Sequence, residues 1–112
     1  MILIIGGAWQ GKLDFAKETF SLTDADVFTC GSGDIDFSKG CIYALEEFTA
    51  ACVRQEIDPV DYFRENREAW QGSILICRDI SGGVVPLEAE QRRWRQATGR
   101  LCRYLAGEAD RV

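Results

Sequence analysis

The chain of 112 residues contains no histidine. That absence removes a histidine general base, a histidine metal ligand and any covalent intermediate carried on an imidazole. No two of its five cysteines (Cys30, Cys41, Cys52, Cys77 and Cys102) form a C-x-x-C pair, and their number is odd. Without histidine or paired cysteines a zinc site has little to draw on, and the thiols read as reduced, small hydrophobic side chains. No apolar run approaches the roughly 20 residues that a membrane span needs. Positive charge is also short: 13 Lys and Arg stand against 18 Asp and Glu, a net charge of −5. General nucleic-acid binding wants a basic footprint and is not expected. The first five residues, MILII, have no charged segment before them and no cleavage signal after them. They read as a buried strand rather than a signal peptide, and a cytoplasmic location is the expectation.

What the chain does have is a core-forming composition, 46% hydrophobic and 28% charged, at a length that suits one domain. Apolar runs alternate with helical patterns. MILII (1–5) predicts a central parallel strand buried on both faces. Leu13, Ala16 and Phe20 share the face of a helix over 12–20. DVFTC (26–30) and SILIC (73–77) read as further strands. CIYALEEF (41–48) reads equally as a strand or as the start of a helix that continues through 49–53. Asp58 caps a helix with Pro59 at its first position, expected to run to Trp70 and end at Gly72. Gly82, Gly83 and Pro86 mark a loop. A long helix over 87–106 places Leu87, Trp94, Leu101 and Leu105 on one face. The alternation predicts an α/β domain over 1–112 with a mostly parallel sheet.

The first turn carries the sharpest signal. After the apolar strand come Gly6, Gly7, Ala8, Trp9, Gln10, Gly11, Lys12 and Leu13. A phosphate-binding loop has the pattern G-x-x-x-x-G-K-[ST]. Gly6, Gly11 and Lys12 fit it, and Leu13 stands where the hydroxyl belongs. In such a loop the glycines let backbone N–H groups face phosphate oxygens, the helix N-terminus adds positive potential and the lysine reaches the terminal phosphates. The hydroxyl would ligate Mg²⁺, which Leu13 cannot do. The alternative is a glycine-rich turn with a surface lysine. Trp9 inside the loop either covers a base or blocks the pocket.

The stretch from Arg78 to Val112 resembles the adenosylcobinamide kinase/adenosylcobinamide-phosphate guanylyltransferase family of cobalamin biosynthesis. That family has a loop N-E-V-G-x-G-I-V-P, followed by a helix R-x-F-R-D-x-x-G-R-x-N-x-x-L-A-x-x-A-D-x-V. Here the loop reads R-D-I-S-G-G-V-V-P, with Asp79 at the family's Glu and Gly83, Val84, Val85 and Pro86 in place. Arg92, Arg95, Gly99, Arg100, Leu105, Ala109, Asp110 and Val112 fit the helix, with Trp94 for Phe and Cys102 for Asn. The family's first loop, G-G-A-R-S-G-K-S, is matched at Gly6, Gly7, Ala8, Gly11 and Lys12.

The resemblance implies a P-loop NTPase-like (RecA-like) three-layer sandwich, missing the strand with which the family continues. It implies a kinase that moves a γ-phosphate from ATP or GTP to a corrinoid, with residues 6–13 and Lys12 on the phosphates. It places an acidic residue after the third strand near Mg²⁺. Glu46 is favoured over Glu47 for that role, with a solvated helix face as the other reading of both. It also implies a homotrimer. The guanylyl transfer needs a histidine and is expected to be absent. Asp79 is either a catalytic acid or the ion-pair partner of Arg78. Arg92, Arg93, Arg95, Arg100 and Arg103, preceded by Glu88 and Glu90, read as a salt-bridged surface, or Arg100 positions a phosphate or a subunit contact. Three outcomes stand open: a shortened kinase, a relative that binds nucleotide without catalysis, and an α/β domain with no site.

Overall fold

Four short runs, ILIIG, VFT, CIY and ILICR, have the β-branched and apolar content of strands buried on both faces, and all four pair in parallel. This computed structural model describes residues 1–6, 11–78 and 89–109, apart from the side chains of residues 11, 12 and 14. In chain order the elements are β1 (Ile2–Gly6), α1 (Gly11–Phe20), a 3₁₀ turn (Asp24–Asp26), β2 (Val27–Thr29), β3 (Cys41–Tyr43), α2 (Leu45–Gln55), α3 (Pro59–Glu65), α4 (Arg67–Trp70), β4 (Ile74–Arg78) and α5 (Ala89–Glu108). The sheet order is β1-β4-β3-β2, with Ile2 opposite Ile74 and Gly6 opposite Arg78.

The period of two along each strand sorts the side chains into two cores. Ile2, Ile4, Cys41, Tyr43, Ile74 and Ile76 meet Leu13, Ala16 and Phe20 of α1 on one face. Leu3, Ile42, Leu75 and Cys77 meet Leu45, Phe48 and Cys52 of α2, Phe63 of α3 and Leu101 and Leu105 of α5 on the other. Chain direction explains the division. From β1 to β2 the chain crosses the sheet one way, and from β2 through β3 to β4 it returns. Right-handed crossovers therefore put α1 on one face and everything after β2 on the opposite one. Even the helix-free connection between β2 and β3 obeys this, since Ile35 and Phe37 join the α2–α5 core. The result is an α/β domain with a four-stranded parallel sheet between two helical layers.

Three expectations need correction. β1 is not central: among the described residues it pairs with β4 alone, and Ile5 is 39% exposed. Its continuous apolar run reflects contact above and below the sheet, which does not require a neighbour on both sides. The helix expected over 59–70 is two, because Asn66 sits at φ −107°, ψ 22° between α3 and α4. Asn66 Nδ2 donates to Tyr62 O at 2.8 Å, and Trp70 Nε1 donates to Phe63 O at 2.6 Å. Side chains thus take carbonyls that a continuing helix would use. The run 41–48 is both strand and helix. Ala44, buried and left-handed at φ 65°, ψ 49°, turns the chain between β3 and α2, whose first residue is Leu45. The cysteines follow expectation, all five being free thiols and only Cys102 incompletely buried.

Candidate functional site

In a parallel α/β sheet the ligand crevice opens outside the carboxyl ends of strands whose following helices leave to opposite faces. Here that point lies between β1, followed by α1, and β4, followed by α5 on the other face. β1 ends there at Gly6, opposite Arg78 at the end of β4. The glycine-rich turn therefore starts in the crevice, and α1 begins beyond it at Gly11.

A third strand end brings a carboxylate to the same place. β3 stops at Tyr43, the left-handed Ala44 reverses the chain, and Glu46 falls in the first turn of α2. A non-glycine residue held left-handed costs roughly 1–2 kcal/mol, which the surrounding packing must offset. The turn aims Glu46 inward: it is 8% exposed, and its Oε1 accepts a hydrogen bond from Arg78 N at 2.9 Å. Glu46 thus touches the backbone of β4 at the residue paired with Gly6. Neighbouring strands lie about 4.8 Å apart, so carboxylate and turn share one crevice. The solvated-face reading fails for Glu46 and holds for Glu47, which is exposed.

The first turn of α2 is tied to α5 through polar contacts. Trp94 Nε1 donates to Glu46 O at 2.8 Å and Thr49 Oγ1 lies 3.0 Å from the same oxygen. Thr49 Oγ1 and Thr98 Oγ1 are 2.6 Å apart, and Thr98 Oγ1 is also 2.8 Å from Trp94 O. The two hydroxyls carry two protons for three contacts, so they share them in a small buried network between the helices.

Sequence reasoning did not single out Trp94 or Thr98 for this task. Trp94 was placed on the apolar face with Leu101 and Leu105, which are fully buried, whereas Trp94 is half-buried with its N–H engaged. The signal was the indole itself, which carries a donor that must find a partner when buried.

The other site residues divide as follows. Lys12 is the second residue of α1. Leu13 is half-buried and packs with the Ala16 core, so its side chain serves the α1–sheet layer. Gly7, Ala8, Trp9, Gln10 and Asp79, together with Leu87, Glu88 and the loop of Gly82, Gly83 and Pro86, lie outside the described residues. The described residues offer no group of three acidic or cysteine side chains for a metal. With Leu13 in place of a hydroxyl, they do not make a Mg²⁺ site of their own.

Three of the buried cysteines are held as thiols. Burial, aided by the Glu46 carboxylate, pushes the Cys30 thiol up to about 12. Burial raises Cys41 and Cys52 to about 11 each. Thiolate chemistry at neutral pH has no source in these three.

The ion pairs described join Lys17 to Asp24, Arg64 to Asp61 and Arg67 to Glu108. Glu88, the first acid expected along the arginines of α5, lies outside the described residues. Among the described residues no helix is long and apolar enough to cross a membrane. No protein-family model matches the chain, and no curated protein matches it. The resemblance of residues 78–112 is carried by its motifs alone.

Proposed function

We propose that the chain binds ATP or GTP through a phosphate loop at residues 6–13, in a P-loop NTPase-like domain, and acts as a shortened adenosylcobinamide kinase-like protein. In this reading the γ-phosphate passes to a corrinoid hydroxyl, guanylyl transfer is absent, and Lys12 and the backbone of the loop hold the phosphates. Glu46, together with Asp79, would hold Mg²⁺ through water. The observation that carries the reading is the Glu46 carboxylate on Arg78 N–H, opposite the glycine where the loop begins. A lone glycine turn is common. A glycine turn at the switch point, with a buried carboxylate delivered to it by a left-handed turn, has the parts that phosphoryl transfer uses. The homotrimer comes with the resemblance, and the cytoplasmic setting with the reading of MILII as a strand rather than a signal peptide.

One observation favours a second reading, a relative that binds nucleotide without catalysis. Leu13 contributes to the core instead of to a metal, and in-line transfer depends on a well-placed metal. Calorimetric titration with ATP and GTP, with and without Mg²⁺, separates the readings. The kinase requires tighter binding with Mg²⁺ and turnover of a corrinoid acceptor. The non-catalytic relative binds equally with and without metal. Lys12→Ala should weaken binding with little change in melting temperature. Equal affinity for wild type and Lys12→Ala removes the phosphate loop from consideration.

A further inference from the structure

A groove of about 340 Å³ lies between α2 and α5, beside the Glu46 turn. Glu47, Ala50, Val53 and Arg54 of α2 form one wall, and Glu90, Gln91 and Trp94 of α5 form the other. Its volume is at the low end of small-molecule sites. The indole of Trp94 is fixed there by its N–H bond to Glu46 O.

Glu47 and Glu90 each sit in the first turn of a helix, where a carboxylate complements the helix dipole. That accounts for each residue alone. It does not account for two carboxylates from different helices flanking one tryptophan. Neither is taken by the ion pairs of the described residues. Arg54 follows Glu47 by seven residues, about 10.5 Å along the helix, too far to neutralise it directly. Two carboxylates against one guanidinium leave the groove net negative.

We propose that this groove binds a small organic cation, an alkylammonium group seated against the Trp94 ring with Glu47 and Glu90 as counter-charges. An indole is the best aromatic partner for a cation, and the adjacent carboxylates add selection against neutral molecules of the same shape. Gln91 supplies a neutral hydrogen-bonding group beside them. Arg54 works against the cation and sets a limit on affinity. The site does not depend on the nucleotide reading, since it uses none of residues 6–13.

The test is titration of the full chain with choline and with its neutral isostere 3,3-dimethyl-1-butanol. Binding is followed by calorimetry and by the indole N–H resonance of Trp94, assigned with Trp94→Phe. Choline should bind at least tenfold tighter than the alcohol and weaken as salt is raised. Glu47→Gln with Glu90→Gln should lower choline affinity at least fivefold. Arg54→Gln should raise it about threefold, an outcome that a folding defect cannot imitate. Equal binding of choline and the alcohol, an unchanged affinity in the double glutamine variant, or no saturable choline binding by folded Arg54→Gln protein each overturns the proposal.

Discussion

Replacing Glu46 tests whether its carboxylate is held as a functional group or only as a structural one. Two variants separate charge from hydrogen bonding. In Glu46→Gln the side-chain oxygen can still accept from Arg78 N, now as a neutral acceptor. A hydrogen bond to a charged group contributes about 1.5–3 kcal/mol net, against about 0.5–1.5 for a neutral one. The glutamine variant also loses the favourable charge in the first turn of α2, worth about 0.3–1 kcal/mol. A loss of about 1.5 kcal/mol is expected. Glu46→Ala removes the acceptor and leaves Arg78 N–H to find another, so its loss should be about 3 kcal/mol. For a domain of this length 1 kcal/mol moves the melting temperature by about 4 °C. The glutamine variant should thus melt about 6 °C below wild type and the alanine variant about 12 °C below. Chemical denaturation at 25 °C gives the free energies directly. Equal melting of the two variants refutes the claim that the Arg78 contact holds the turn. The functional half is read on the glutamine variant, which keeps the geometry. If Glu46 faces a nucleotide-borne Mg²⁺, the metal-dependent part of ATP or GTP binding falls at least tenfold while metal-free binding survives. Unchanged metal dependence removes Glu46 from the site.

Leu13→Ser should lower stability by about 1–2 kcal/mol, since half of a leucine leaves the α1 core, and should raise the Mg²⁺ dependence of nucleotide binding. A stable variant with unaltered metal dependence shows that the position was never a ligand site. In the buried hydroxyl pair, Thr49→Val and Thr98→Val should each cost about 1 kcal/mol, while the double variant costs less than their sum because no orphaned hydroxyl remains. Additive losses in that cycle show that the hydroxyls act independently. The thiols set an alkaline limit. Cys30, Cys41 and Cys52 ionise near 9 when unfolded, and at about 12, 11 and 11 in the fold. The folded state therefore holds their protons more tightly, and stability should be level below pH 9 and fall as pH rises toward 11–12. A melting temperature that is flat from pH 8 to 11 contradicts their burial.

The layers were readable in the sequence because side-chain period reports on what lies above and below a strand. ILII, VFT and ILIC were legible as three strands, CIY was left open between strand and helix, and α1 was expected one residue after its start at Gly11. The in-plane order was not readable. Pairing occurs through backbone groups that every residue carries, so the edge position of β1 left no mark in its side chains. The break at Asn66 was missed for a related reason, since Asn is acceptable in a helix until its amide finds the carbonyl four residues back. Glu46 could be narrowed to one of two residues from sequence. Which of the two is buried depended on the left-handed Ala44, which no propensity favours, because that turn sets which glutamate looks inward. The groove beside Trp94 was invisible, since it joins residues from two helices that only the sheet order brings together.

Among the described residues β1 pairs with β4 alone, and that also governs how the chain is made. Ile2 finds its partner at Ile74, 72 positions later (74 less 2). At about 5–20 residues per second, the ribosome leaves the N-terminal strand without its neighbour for about 4–15 s. During that interval a charge-free segment with open backbone donors and acceptors precedes everything that could cover it. Helices α2 and α3 can form early from nearby residues, and β2 can pair with β3 only 14 positions later (41 less 27), but β1 cannot pair until β4 emerges. The strand order thus makes the first strand synthesised the one that waits longest for its neighbour.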